Sequence, residues 1–168
     1  MCGVVGIIST HKPVAGELYD SLIHLQHRGQ DAAGIMTYNK RFHIKKGTGL
    51  IRDIFDEHNM VRLQGKVGIG HTRYPTVGGF SIEEAQPVLT NVPYGIAMAH
   101  NGNLVNYAEL VQEVEEKDRR HVNSSVDIEV ILHIFAHALD HPNAEIDELS
   151  FFNQICHAVD MVYNRVDG

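Results

Sequence analysis

Cysteine stands second in the chain, directly behind the methionine that opens MCGVVGI. Buried cysteines are common and inert, whereas a terminal thiol invites oxidation. A thiol kept at that place points to chemistry. If Met1 is removed, Cys2 carries its own base, because a free α-amino group has a pKa of about 7.7–8.0, far below that of lysine. Directly or through one water, that amine can take the thiol proton, as in amino-terminal threonine nucleophiles. A small residue merely tolerated behind the start codon gives the same pattern.

Other stretches carry groups that suit such a nucleophile. GHTRYPT (70–76) puts Arg73 where a strand runs into a loop. Its planar fork holds a carboxylate bidentately, although a surface ion pair is the commoner fate of an arginine. AHNGN (99–103) holds an Asn-Gly pair, usually a tight turn. Such a pair also presents the Asn101 amide and the Gly102 backbone N–H side by side, two donors suited to an oxyanion. Asp127, in NSSVDIEV (123–130), falls in the first turn of a helix. There it is either an acid favoured by the helix dipole or a carboxylate for a substrate ammonium, and the spacing does not choose. HRGQDAAG (27–34) packs charge and glycine between a helix and a strand, as segments that brace a site do.

Two further features point away from chemistry. His133, His137 and His141 recur at helical spacing with Glu129 on the same face. Ile131, Ile134, Phe135 and Ala138 mark the buried face, so these histidines are expected in solvent and no metal is expected. Cys156 is expected in the core. GVVG is too short and wrongly placed for a dinucleotide fingerprint.

The elements that must position these groups follow from periodicity. GVVGIIS (3–9) reads as a buried strand, and residues 16–28 as a helix with Leu18, Leu22 and Leu25 on one face. Residues 32–38 and 42–48 predict a hairpin, 53–63 short helices, and 66–74 a strand running into the loop 75–87. A strand over 94–102 precedes helices over 106–117, 126–139 and 149–163, the second capped by Ser124 or Ser125. The order lacks a strict βαβ rhythm, which favours antiparallel sheet layered with helices. Asp167-Gly168 is a turn signal, and a further strand is expected after it.

Composition bounds the rest. The 168 residues are 43% hydrophobic, enough for one compact domain with a core. A net charge of −7 without a basic block argues against nucleic acid. No apolar stretch reaches membrane-spanning length and no signal peptide is visible. Two cysteines make no disulfide framework, so a reducing, cytoplasmic setting is expected.

Taken in order, MCGVVGI, LQHRGQDAAGI, GIGHTRYPTVG, EAQP, YGIAMAHNGNL and SSVDIEVI resemble the glutaminase domain of class II glutamine amidotransferases, which are N-terminal-nucleophile hydrolases. Within that family the likeness is to the amidophosphoribosyltransferase branch of purine synthesis. LQHRGQDAAG and RYPT separate it from the glucosamine-phosphate synthases. The resemblance implies an α+β fold, a four-layer αββα sandwich of antiparallel sheets. It implies L-glutamine as substrate, Cys2 as nucleophile, Arg73 on the α-carboxylate and Asp127 on the α-ammonium. By the same resemblance, Asn101 and Gly102 would form the oxyanion hole, Thr76 would lie in a loop closing over glutamine, and Arg28 would brace the terminus. In such a family the ammonia would be destined for phosphoribosylamine formation.

The chain is expected to be a truncated type 2 glutaminase domain over 1–168. The sheets would finish beyond residue 168, and a phosphoribosyltransferase domain is missing. Mg2+ is expected only with that domain. No propeptide is expected before Cys2, and Cys156 alone cannot hold an iron–sulfur cluster. The full-length family is expected to be homo-oligomeric. An inactive fragment that binds glutamine or a partner chain is the alternative to an enzyme.

Overall fold

Four short runs rich in apolar residues build the main sheet of the computed structural model, which describes residues 1–74, 81–140 and 147–168. The elements are β1 (Gly3–Ile8), α1 (Ala15–Leu25), β2 (Ala32–Asn39), β3 (Arg41–Thr48), α2 (Ile51–Ile54), α3 (Glu57–Met60), β4 (Val67–Arg73), β5 (Val88–Thr90), β6 (Ile96–Met98), α4 (Tyr107–Glu116), α5 (Asp127–Ala138) and α6 (Glu148–Arg165). They form two compact units. One comprises Met1–Val88 with Met98–Asn101, the other Leu89–Ala97 with Gly102–Gly168.

In the first unit the strand order is β1-β4-β2-β3, antiparallel throughout. The register pairs Gly3 and Ala33 with Thr72, and Val4 and Gly34 with His71. Side chains alternate across a sheet, so this register sorts the residues into two faces. Val5, Ile7, Ala33 and Ile35 lie on one, packed with Leu18 and Leu22 of α1. Val4, Gly34, Met36, His71 and Arg73 take the other. Cys2 continues the alternation of β1 onto that second face.

The predicted helix over 16–28 ends at Leu25 and closes in a 3-10 turn, Gln26–Arg28. The hairpin forms as expected, with Lys40 in the left-handed region at φ 59°. The expected strand over 94–102 shortens to β6, which pairs with β5 in a second, two-stranded sheet.

The second unit buries Leu110 and Val114 of α4 against Val130 and Ile134 of α5, with Val162 of α6 packed alongside. A capping box between Asp147 and Ser150 starts α6. At its other end the chain turns back, and the Val105 N–H donates to the Asp167 carbonyl at 2.7 Å.

Three expectations need correction here. No serine caps α5: Val126 takes the N-cap position, with no side-chain hydrogen bond. The Ser124 hydroxyl and N–H instead donate to Glu129. His133 is not solvated. Its side chain is only 13% exposed and lies beside Glu129, because α5 is buried on most of its circumference. Cys156 is exposed rather than core, since α6 turns Ile155, Ala158 and Val162 inward instead. His141 lies outside the described residues.

Candidate active site

Cys2 is held by its own backbone. The next N–H, that of Gly3, donates to Thr72 Oγ1 at 3.1 Å inside the sheet. The Cys2 carbonyl accepts from Arg28 Nε at 3.0 Å and from Asn101 Nδ2 at 2.8 Å. The thiol accepts from the Tyr74 N–H at 3.4 Å. Met1 is 79% exposed, and the Arg28 guanidinium reaches its sulfur at 4.0 Å.

Arg28 and Arg73 come from opposite ends of a tight crossing. The 3-10 turn ends at Gly29, where a Cβ would stand 2.5 Å from the Arg73 carbonyl carbon and 2.8 Å from the Tyr74 nitrogen. Only glycine permits that approach. The Asp31 N–H then donates to the Arg73 carbonyl at 3.2 Å. The HRGQDAAG segment therefore braces the end of β4, as its composition suggests.

Arg73 is itself buried, and its Nη2 lies 2.7 Å from Glu84 Oε2. Both side chains are about 10% exposed. The guanidinium is thus part of an internal ion pair, with one edge of its five-donor fork against Glu84.

Two residues from Arg73 along the same face, His71 is fully buried. Burial pushes its pKa down to about 4, so the ring is neutral near pH 7. Its Nε2 lies 3.2 Å from the His100 carbonyl, which assigns the proton to Nε2. From the other side of the same residue, the His100 N–H donates to Gln86 Oε1 at 2.7 Å. Asn101 follows directly.

The segment bearing Glu84 and Gln86 lies flat on the sheet at Gly34, where a Cβ would meet the Gln86 carbonyl oxygen at 2.1 Å. Lys46, opposite Gly34 on β3, donates to the Ala85 carbonyl.

In the second unit Asp127 is the first residue of α5. The approach to it is set by Glu129, whose carboxylate accepts from the Asn123 N–H at 2.9 Å and the Ser124 N–H at 2.8 Å. Burial pushes the Glu129 pKa up, but His133, Ser124 and Asn123 outweigh it and bring it down to about 2. Gly102 also belongs to this unit. Thr76 lies outside the described residues.

Cys2, Arg28, Asn101 and the Arg73–Tyr74 turn are therefore brought together. The sequence pattern does not single out Thr72, Tyr74, His71 or the partners on the EAQP segment. Their role shows only in the register, which places His71 and Arg73 on the face that continues to Cys2. Among the described residues no three His, Cys, Asp or Glu side chains gather as a metal would need. No helix among those residues is long and apolar enough to cross a membrane.

The chain belongs to the glutamine amidotransferase domain family, whose model matches residues 52–146. It is 54% identical over 142 residues to the amidophosphoribosyltransferase of Escherichia coli K12, covering 83% of this chain and 28% of that protein. Against the amidophosphoribosyltransferase of Saccharomyces cerevisiae it is 46% identical over 173 residues, covering 100% of this chain and 33% of the relative. Among solved structures it resembles the glutamine phosphoribosylpyrophosphate amidotransferase of B. subtilis complexed with ADP and GMP. That match has a TM-score of 0.74 and 33% identity, covering 96% of this chain and 33% of the other. A structure described as the allosteric regulatory enzyme of purine biosynthesis gives 0.76 at the same identity and coverage. The chain thus spans about a third of the length of the relatives it matches. The fold is mixed, with antiparallel sheets, in line with the expected N-terminal-nucleophile hydrolase class.

Proposed function

We propose that this domain hydrolyses the side-chain amide of L-glutamine through a thioester on Cys2. Within its complete protein, the ammonia then serves phosphoribosylamine formation in purine synthesis. The observation that carries this reading is the convergence on Cys2: Asn101 on its carbonyl and the Tyr74 N–H on its sulfur.

Once Met1 is removed, the Cys2 amine takes the thiol proton. Sulfur attacks the amide carbon, and the developing oxyanion is met by the Asn101 amide and the Gly102 N–H. The amine returns the proton to the leaving nitrogen, ammonia departs, and a thioester remains. Water, activated by the same amine, cleaves it to glutamate. Arg73 takes the α-carboxylate, Asp127 the α-ammonium, and Arg28 holds the Cys2 carbonyl.

A zwitterionic substrate needs one cation and one anion besides the acyl-transfer centre, which supports this division of roles. The chemistry uses no cofactor; Mg2+ belongs with the phosphoribosyltransferase domain of the complete protein, which we place as a homo-oligomer in the cytoplasm. Both cysteines are free thiols, which suits a reducing compartment. Glutamate release from glutamine, measured with Cys2→Ala alongside, tests the proposal. Hydrolysis that survives Cys2→Ala would refute it.

A further inference from the structure

The EAQP segment has no assigned task in the chemistry above. It is nevertheless tied to the site twice, by side chains two residues apart. Glu84 reaches Arg73 at 2.7 Å, and Gln86 accepts from the His100 N–H at 2.7 Å. We propose that this segment is a positioning strap, in which Glu84 aims Arg73 at the α-carboxylate of glutamine while Gln86 fixes the backbone of His100, the residue before Asn101. The proposal rests on the roles assigned above to Arg73 and Asn101.

The strap is anchored independently of the substrate. Its backbone lies on Gly34 so closely that no side chain fits between, and Lys46 holds the Ala85 carbonyl. Glu84 and Gln86 are both buried. A buried arginine without a partner is costly and seeks another anion or water. Glu84 removes that choice and fixes one edge of the guanidinium, so the remaining donors keep one orientation. Long side chains lose much rotamer freedom on binding, and fixing Arg73 in advance lowers the cost of capturing a carboxylate.

Gln86 acts on the other end. The two peptide groups flanking the His100 Cα are each held, the first through the His100 N–H by Gln86 and the second through the His100 carbonyl by His71. A backbone fixed at both polar groups cannot rotate, and Asn101 is the next residue. Oxyanion donors work because they need no reorganisation when charge develops. Loosening this backbone therefore affects the transition state more than the bound substrate.

One segment thus predicts two separable kinetic signatures, measured in the complete protein that carries this domain. Glu84→Gln is expected to raise KM for glutamine about tenfold with kcat little changed. Binding of glutamate, followed by calorimetry, weakens by the same factor. Gln86→Leu is expected to lower kcat about tenfold with KM and glutamate binding unchanged, and Gln86→Glu, which keeps an acceptor oxygen, restores most of it. Should either variant fail to fold, Glu84→Asp and Gln86→Met repeat the test with the length or charge kept. Arg73→Lys and Asn101→Ala run alongside. If these show their KM and kcat losses but the two strap variants move the same parameter, the strap is refuted and the site reading stands. A lower KM in Glu84→Gln would make Glu84 a competitor of substrate and also refute it. If the Arg73 and Asn101 variants themselves lack those losses, the site reading fails and the strap falls with it.

Discussion

Asn101 Nδ2 donates to the Cys2 carbonyl at 2.8 Å, so the proposed oxyanion donor is tied to the nucleophile's own backbone. A donor placed this way moves with the nucleophile and needs little rearrangement to meet charge on an attacked carbonyl. Asn101→Ala is expected to lower kcat by about 10²–10³ with a small effect on KM. Steady-state glutaminase kinetics measure both. An unchanged kcat removes Asn101 from the oxyanion hole.

Gly29→Ala places a methyl carbon within 2.5–2.8 Å of the Arg73 and Tyr74 backbone. The extended φ of −166° at Gly29 suits any residue, so the conflict is purely one of space. Backbone there cannot yield as a flexible side chain does, and overpacking of this kind costs about 1–3 kcal/mol. The displaced Tyr74 N–H also leaves the Cys2 sulfur. Urea unfolding is expected to show the loss of stability, and the rate of Cys2 alkylation by iodoacetamide to change as the contact around the sulfur is lost. A variant with native stability and native alkylation would refute the bracing role of HRGQDAAG.

Much of this arrangement can be read from the sequence. Short apolar runs over 3–9, 32–38 and 66–74 mark the strands, and Leu18 and Leu22 mark the covered face. Cys2, Arg73 and Asn101 stand out because their types suit one reaction. What the pattern hides is partnership across the chain. Nothing local to Glu84 says that its charge faces Arg73, and nothing near His71 says that its ring grips the residue before Asn101. Helix faces fail similarly: His133 and Cys156 look assignable from spacing, yet the packing around α5 and α6 decides which side is wet.

Acid lability should arise separately in the two units. His71 has its pKa lowered from 6.5 to about 4, chiefly by burial. The folded chain therefore binds fewer protons there than the unfolded chain. This contribution is complete above pH 6.5 and is lost as pH falls towards 4. His71→Gln, followed by urea unfolding between pH 7 and 4, should flatten the slope in that range. A slope equal to that of the parent would exclude His71 as its source.

Glu129 acts lower on the scale. Its pKa drops from 4.5 to about 2, so its stabilisation is complete above pH 4.5 and lost as pH falls through 2. Glu129→Gln removes a charged acceptor of two backbone N–H groups and is expected to cost about 1.5–3 kcal/mol at pH 7. It should also remove part of the pH dependence below 4.5. Hydrogen exchange at the Asn123 and Ser124 amides offers a local check, with faster exchange expected in the variant.

If the Cys2 amine is the base proposed above, processing of Met1 decides whether this chemistry runs. While Met1 remains, the Cys2 nitrogen is an amide with no basic lone pair, and the thiol has lost its proposed base. Met1 is 79% exposed, so an aminopeptidase can reach it, and cysteine is small enough to be tolerated behind it. Removal also frees the Arg28 guanidinium from the Met1 sulfur while leaving Arg28 Nε on the Cys2 carbonyl. The brace therefore survives the cut. Chains that keep Met1 are expected to be inactive, and activity should rise in proportion to the processed fraction. Intact mass spectrometry gives that fraction, and glutamate release on the same samples gives the activity. Full activity in a preparation that retains Met1 would exclude the terminal amine as the base.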